Sequence, residues 1–300
     1  MSSDSNRGIA MVLAAAVLWG TTGTAQSFAP LTLSPYLVGA LRLAIAALFF
    51  IVVLLSSTGP RRSDLPNSVW RHLPWLWIVL AGIAMAAYNL MFFAGVKAGG
   101  VAVGTAVAIG SSPVWAGALQ FVTTGKTPLF VWWCGTLLAV SGGCLLVFGP
   151  GQQLHFDALG IALCLGAGLS YAVYALINKR LVSQASPLVV TAGGFAVAAL
   201  LAMPAAAVLS DGMVPSTSGW LVVGYLGVVA TGVAYLLFSS GLRFITGVTG
   251  VTLALAEPLT AFLLAVVVVG EQPDALAYAG LALLLAGLAL VIRSELRGQA

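Results

Sequence analysis

Apolar residues in this chain fall into ten runs of about twenty, separated by short breaks rich in Gly, Pro, Ser or charge. A run of about 20 apolar residues is the length that a helix needs to cross a lipid bilayer. The pattern therefore predicts an all-α integral membrane protein with ten transmembrane helices. The predicted spans are 8–28, 35–57, 73–96, 100–123, 129–148, 157–178, 187–209, 219–241, 247–269 and 274–293.

The composition supports lipid as the solvent of this chain. Hydrophobic residues make up 60% of it and charged residues only 7%, with a mean hydropathy of +1.07, whereas soluble domains are about a quarter charged. The net charge of +4 is spread singly or in pairs between the apolar runs, which does not favour binding to nucleic acid. Three cysteines inside apolar runs are interpreted as packing residues, and no metal or other cofactor is expected.

The basic residues predict how the chain is oriented. If the N-terminus is cytoplasmic, the outer loops hold only Lys97, and Arg42 lies within a span. Because cytoplasmic loops of membrane proteins are enriched in Lys and Arg, both termini are expected in the cytoplasm of a cell (inner) membrane protein. The ten basic residues then on the inner side are Arg7, Arg61, Arg62, Arg71, Lys126, Lys179, Arg180, Arg243, Arg293 and Arg297.

The two halves of the chain, 1–150 and 151–300, are similar to each other. At an offset of 152, Gly8–Ile9–Ala10 matches Gly160–Ile161–Ala162; at an offset of 145, Pro113 matches Pro258. Each half has five spans, an odd number, so the second half enters the membrane from the opposite side. Such inverted repeats are typical of secondary transporters, whose substrate site lies near the membrane midplane where the halves meet.

Polar and aromatic side chains inside the spans are the candidate substrate-binding residues. One stripe on the first helix recurs at an offset of 152 on the sixth, which favours two faces of a central cavity; hydrogen bonding that holds the bundle together is the alternative. The two stripes are Trp19, Thr22 and Gln26, and Tyr171, Tyr174 and Asn178. Four more candidates lie deep in other spans: Tyr88, Asn89, Ser112 and Tyr235. The deep aromatic rings either stack on a substrate or fill the bundle.

Glu257 and Pro258 occur together near the middle of the ninth span. A charge there is unfavourable by about 2.5–3.5 kcal/mol on insertion scales, and proline disturbs the helix. Three roles remain open for the Glu257 carboxyl: a proton carrier that couples transport to the proton gradient, a contact for a substrate amine, or a neutral group that stabilises the helix break. The repeat places Ser112–Pro113 at the equivalent position, so a shared helix break is expected.

Two further features of the spans carry expectations. Arg42, on the outer side of the second span, is expected to reach the lipid headgroups, with a partner inside the bundle or a substrate carboxylate as the alternatives. Gly135 and Gly142 in the fifth span match Gly280 and Gly287 in the tenth. Since small residues let membrane helices approach closely, these two helices are expected to pack together, away from the cavity.

With ten spans in two inverted halves, Trp19–Gly20, Arg42 and Glu257–Pro258 before Gly270–Glu271, the chain resembles the EamA-type transporters of the drug/metabolite transporter superfamily. The resemblance implies export of small metabolites, most often amino acids, by alternating access. It also implies a cavity lined by helices one, three, four, six, eight and nine. The first helix lacks the membrane glutamate of the four-helix multidrug relatives, which puts their mechanism in doubt here.

Other functions receive less support from the sequence. Export of hydrophobic cations would use Glu257 beside aromatic rings. A channel would need rings of charge or a filter-like loop, and an intramembrane enzyme would need a catalytic motif, and neither is found in the sequence. The expected partners are therefore a small-molecule substrate, the lipid bilayer and protons as a coupling ion. A monomer is expected to suffice.

Overall fold

A computed structural model describes residues 2–28, 34–56, 74–147, 157–210, 217–270 and 273–298. In this part of the chain all regular structure is helical. The ten helices, numbered α1 to α10, are Ser2–Ser27, Pro35–Ser56, Trp75–Gly99, Val101–Thr124, Phe130–Val147, Ala158–Val182, Pro187–Leu209, Thr217–Gly241, Gly247–Leu253 together with Ala256–Leu264, and Ala275–Gly298. His72 and the three arginines of 61–71 lie outside the described residues.

Nine of the described helices are long and apolar enough to cross a membrane, and α5 is a shorter apolar helix. The prediction of an all-α, multi-pass membrane protein is confirmed. The described helices α1, α6 and α10 extend beyond the predicted apolar runs, because polar residues such as Lys179 and Arg180 continue the last turns of α6. The orientation of the two termini across the membrane stays a prediction.

Local sequence explains where several helices begin and end. The Asp157 carboxylate accepts a hydrogen bond from the Gly160 N–H at 2.6 Å and so caps the start of α6. Pro187 occupies the first turn of α7, where a missing N–H has no effect. Gly125 ends α4 with a φ of 68°, a left-handed conformation that side chains other than glycine rarely adopt.

Helix α9 is interrupted at Ala254–Leu255, immediately before Glu257 and Pro258. Pro258 has no N–H to give to the Ala254 carbonyl four residues earlier. That carbonyl instead accepts from the Glu257 N–H at 2.9 Å, and Leu255 N–H donates to the Thr252 carbonyl at 3.0 Å. These tighter bonds, over three residues instead of four, produce the break that the sequence predicted.

The expectation that the repeat shares this break is wrong. Helix α4 runs without interruption from Val101 to Thr124 with Pro113 inside it. A helix can lose the one bond that proline removes and continue, and here the Ser112 hydroxyl donates to the Ala108 carbonyl in the preceding turn at 2.7 Å. The two prolines therefore have different local effects: α9 is interrupted before Pro258, and α4 continues through Pro113.

The main contacts between helices follow a repeating pattern with an interval of five helices. Helix α1 packs on α8 and α9, and helix α6, five places later, packs on α3 and α4. Helix α2 packs on α7, and α5 packs on α10. Replacing each helix by the one five places away returns the same set of contacts. Two structurally related five-helix halves would produce this pattern, and the division of the chain into repeats at 1–150 and 151–300 stays a prediction.

The glycines of α5 and α10 bring these two helices into backbone contact. A Cβ added at Gly142 would lie 2.5 Å from the Gly280 carbonyl oxygen, and one at Gly135 would lie 2.8 Å from that of Gly287. No residue of either helix lines the main cavity described below. The expected pairing of these helices, away from the cavity, is confirmed.

Candidate functional site

The described part of the chain contains one large cavity, of about 680 Å³. This volume lies within the range of about 300–1,000 Å³ that is usual for small-molecule sites. Its walls come from α1, α3, α4, α6, α8 and α9, as expected, and also from α2. The cavity therefore lies between the two predicted halves.

Among the described residues, the cavity lining reaches exposed positions at one end of the bundle. Its lining reaches the exposed residues Gly23, Pro35 and Gly100, and we call this end the mouth face. The opposite end, where Arg7 lies 5.5 Å from the ring of Phe244 and Glu295 bonds Thr246, is called the terminal face because it holds both ends of the chain. Cavity residues on α1 begin at Trp19, so the eight residues from Trp19 to Gln26 span about 10 Å of depth.

The structure brings most of the predicted site residues together. Eight of the eleven line the cavity: Trp19, Thr22, Gln26, Tyr88, Ser112, Tyr171, Tyr235 and Glu257. The other three, Asn89, Tyr174 and Asn178, are buried outside the lining. Asn89 faces Gly39 of α2, where an added Cβ would lie 2.5 Å from the amide oxygen, and neither of its amide atoms has a hydrogen-bond partner among the described residues.

Tyr174 and Asn178 belong to a buried polar group on the terminal side of the cavity. The Asn178 amide donates to the Ser239 hydroxyl at 2.8 Å and to the Tyr174 hydroxyl at 3.3 Å. The Thr191 hydroxyl lies 3.1 Å from that of Ser239. We call Tyr174, Asn178, Thr191 and Ser239 the inner polar strip. It connects α6, α7 and α8 directly behind the floor of the cavity.

Aromatic rings form that floor. The centroid of Trp19 lies 4.9 Å from that of Tyr235 and 6.4 Å from that of Tyr171, and Tyr88 lies 5.4 Å from Tyr171. Tyr174 packs 5.8 Å behind Tyr235 and so supports the floor without reaching the cavity. Offset and edge-on ring pairs at these distances stabilise one another by about 0.5–1.5 kcal/mol each, which favours this arrangement of the floor.

Several polar atoms at the cavity have no hydrogen-bond partner in the described chain. They include the indole N–H of Trp19, the hydroxyl of Tyr171 and the Nε of Arg42. Buried polar groups in proteins are almost always bonded, and each exception calls for an explanation. Trp19 is 8% and Tyr171 7% exposed, and both line the cavity. The unbonded donors therefore belong to residues that line the cavity, and a bound molecule is one candidate partner for them.

Two opposite charges line the same cavity. Arg42 comes from α2 and Glu257 from α9, and the two are near enough to interact electrostatically. No hydrogen bond or ion pair joins either side chain to another residue of the described chain. The expectation that Arg42 reaches the lipid headgroups is wrong, because the turn of α2 that carries it faces the cavity, and its guanidinium lies 5.8 Å from the ring of Phe93.

Close helix contact holds Glu257 in position. A Cβ added at Gly20 of α1 would lie 2.6 Å from the Glu257 carbonyl oxygen and 2.5 Å from Thr260 Cβ. Only a glycine allows the two helices to approach this closely. Together with the break at Ala254–Leu255, this contact places the Glu257 carboxyl at the cavity, below the residues of the mouth face.

A bundle of membrane-length helices around a polar and aromatic cavity is an architecture that suits a membrane protein with a small-molecule substrate. A model of the EamA-like transporter family matches residues 6–148 and again 158–293. The chain belongs to this family and is a transporter of the drug/metabolite transporter superfamily, a multi-pass protein of the inner membrane in bacteria.

Similar proteins cover nearly the whole chain. An uncharacterized transporter of Bacillus subtilis, YwfM, is 39% identical over 290 residues, 96% of this chain and 94% of its own. The threonine/homoserine exporter RhtA of Escherichia coli is 28% identical over 294 residues, 96% and 92% respectively. A solved structure titled "Crystal structure of protein" has a TM-score of 0.82 at 22% identity over 98% of this chain and 99% of its own, a likeness of fold.

Sequence reasoning missed part of the site. Arg42 was assigned to the lipid headgroups, and Phe92, Phe93 and Thr105 were not selected at all, although all four line the cavity. Arg42 is the only charged residue in the predicted second span, and this was a usable signal for it. Thr105 gave none, since single threonines are common in membrane helices.

Proposed function

We propose that the protein exports small zwitterionic amino acids by alternating access. The observation that supports this most directly is the pair of opposite charges, Arg42 and Glu257, without ion-pair partners in one cavity. An α-amino acid carries a carboxylate, which suits the guanidinium, and an ammonium group, which suits the carboxylate. The name of RhtA makes threonine and homoserine the first cargoes to test.

The lining favours a zwitterion over a hydrophobic cation. A cation would find Glu257 and the aromatic floor attractive. The guanidinium of Arg42 would repel it at the same site, whereas the same group binds the second charge of an amino acid. The unbonded donors of Trp19 and Tyr171 also suit carboxylate oxygens. An indole N–H can only donate and a tyrosine hydroxyl can donate, while an ionised carboxylate only accepts.

The test is counterflow of labelled threonine or homoserine into preloaded proteoliposomes, with Glu257→Gln and Arg42→Gln. Because each change leaves one cargo charge unpaired, exchange is expected to fall about ten- to a hundredfold. N-acetyl-threonine and threonine amide are added as competitors. We expect Glu257→Gln to lose discrimination against the acetylated compound and Arg42→Gln to lose discrimination against the amide.

Matched controls are available in the same chain. Lys97→Gln removes a positive charge from an exposed residue of α3, and Asp274→Asn removes a carboxylate that caps α10 through the Ala277 N–H. Neither residue lines the cavity, so both variants should exchange at the wild-type rate. Failure of the wild type to exchange any amino acid, with uptake of a hydrophobic cation instead, would overturn the proposal.

The coupling ion is tested in the same vesicles. If Glu257→Gln keeps exchange but loses accumulation driven by a proton gradient, its carboxyl carries the proton and does not bind the ammonium group. Proton coupling stays a prediction until that comparison is made.

A further inference from the structure

The repeating pattern of helix contacts is incomplete, and one of the differences between the two predicted halves lies at the terminal face. At the terminal face α6 contacts α8 and the first segment of α9. The corresponding contacts of the first half would join α1 to α3 and α4, and no comparable contact exists in the described chain. The cavity occupies that space, since its walls include α1, α3 and α4. The same kind of helix contact is therefore made at the terminal face, between α6 and the α8–α9 pair, and is absent among the described residues at the mouth face, between α1 and the α3–α4 pair.

Three contacts hold α6 against α8 and α9 at the terminal face. The Lys179 ammonium donates to the Leu242 carbonyl at 2.7 Å, at the carboxyl end of α8. Asn178 donates to Ser239. A Cβ added at Gly247, the first residue of α9, would lie 2.7 Å from Leu176 Cδ2, so the Leu176 side chain of α6 packs directly on the α9 backbone. A cation that bonds the last carbonyls of a helix is a favourable contact, and Lys179 can break it by rotating its flexible stem.

The inner polar strip lies behind this contact and is poorly explained by packing alone. Asn178 and Ser239 are 1% and 0% exposed, and the Asn178 amide oxygen has no partner in the described chain. Burying an unbonded amide is unfavourable, and intramembrane polar groups usually face a pathway. A state in which the strip is hydrated, with substrate passing over it, would give this oxygen partners.

We propose that the contact of α6 with α8 and α9, held by Lys179, is the gate of the terminal face, and that the inner polar strip lines the path of the polar cargo when this gate opens. The inference rests on the proposed alternating access. In the opposite state α1 would meet α3 and α4, and the mouth would close. A bond at Lys179 is then present in one state only, and its loss shifts the balance towards the other.

The test does not need the cargo. In a background whose three cysteines are replaced, Ser239→Cys reports on the inner polar strip and Gly23→Cys on the mouth, where an added Cβ meets nothing within 4 Å. A membrane-impermeant thiol reagent is applied to reconstituted protein from each face in turn. Lys179→Met should speed labelling of the strip from the terminal face at least about tenfold and slow labelling of the mouth.

Arg180→Met is the matched control. It removes a positive charge at the adjacent position of α6, but the Arg180 guanidinium lies over the Trp77 ring of α3 at 4.5 Å and makes no hydrogen bond to α8 among the described residues. This variant should label as the parent does. If Ser239→Cys stays equally protected from labelling in Lys179→Met, the proposed gate is wrong. Faster labelling of both reporters together would also overturn it, because that result indicates general loosening of the fold.

A cross-link provides a second, independent variant. The Cβ that could be added at Gly247 lies 3.5 Å from Lys179 Cβ, within the usual Cβ separation of a disulfide of about 3.5–4.5 Å. Oxidised Lys179→Cys/Gly247→Cys should keep the Ser239→Cys reporter unlabelled, and a reductant should release it. If the oxidised pair instead labels as fast as the reduced pair, the α6–α9 contact does not gate the strip.

The gate and the cargo can be tested separately. If labelling changes as predicted while no amino acid is exchanged, the proposed cargo is wrong and the proposed gate is supported.

Discussion

At the scale of single residues, Trp19 combines ring packing in the cavity floor with an unbonded indole N–H. Its ring packs between Tyr235 and Phe238, at centroid distances of 4.9 and 5.4 Å, and its indole N–H has no partner in the described chain. The ring and the N–H can therefore be tested separately. The ring packs against its aromatic neighbours, and the N–H is proposed to donate to the cargo.

Trp19→Phe keeps a ring in the floor and removes the N–H, and Trp19→Ala removes both. We expect Trp19→Phe to slow amino acid exchange about three- to tenfold, the effect of one lost hydrogen bond, with little change in thermal stability. Trp19→Ala should lose more exchange and also lower the melting temperature of the purified protein, because it leaves a void among the rings. Normal exchange in Trp19→Phe would assign the residue to packing alone.

Some of the residues that line the cavity could be predicted from the sequence alone. The helical spacing of Trp19, Thr22 and Gln26 identified the correct face of α1, because side chains three, four and seven apart share a side of any helix. The same spacing could not separate Tyr171, which lines the cavity, from Tyr174 and Asn178, which lie behind it. Which part of a face is open depends on the contacts of α6 with α8 and α9, and these are set by the conformation of the whole bundle.

At the scale of helices, the pairing of α5 with α10 depends on the absence of side chains at four positions. The pairing could be predicted from the sequence, because the spacing of Gly135 and Gly142 recurs at Gly280 and Gly287, an offset of 145. The break in α9 was also readable, while the continuity of α4 through Pro113 was not, since proline permits either result.

The helix pair offers a matched test in adjacent residues. A Cβ at Gly142 would lie 2.3 Å from the Leu284 backbone nitrogen, and one at Gly143 meets nothing within 4 Å. Gly142→Ala is expected to destabilise the protein by about 1–3 kcal/mol, because backbone atoms must move apart. Gly143→Ala should be neutral or slightly stabilising, since alanine favours the helix. Thermal unfolding in detergent measures both, and equal stability of the two variants would contradict the close contact.

At the scale of the whole molecule, the asymmetry between the two ends depends on which way the chain crosses the membrane. Arg7, Lys179 and Arg243 lie at the closed terminal face, and Lys97 lies towards the mouth face, 5.6 Å from the ring of Tyr36. Positive loops usually remain in the cytoplasm. With that orientation the cavity would open to the outside, and under the proposed export this would be the state that releases cargo.

Reporter fusions test this orientation directly. A fluorescent protein fused after residue 300 should fold and fluoresce in the cytoplasm, and alkaline phosphatase at the same point should be inactive. Fusions after Leu209 should give the reverse, because α7 ends at the mouth face, where the Ser210 hydroxyl lies 3.2 Å from that of Ser34. Active phosphatase at the C-terminus would place the cavity mouth in the cytoplasm. The same coordinates would then represent the state that loads cargo, and the gate held by Lys179 would become the exit.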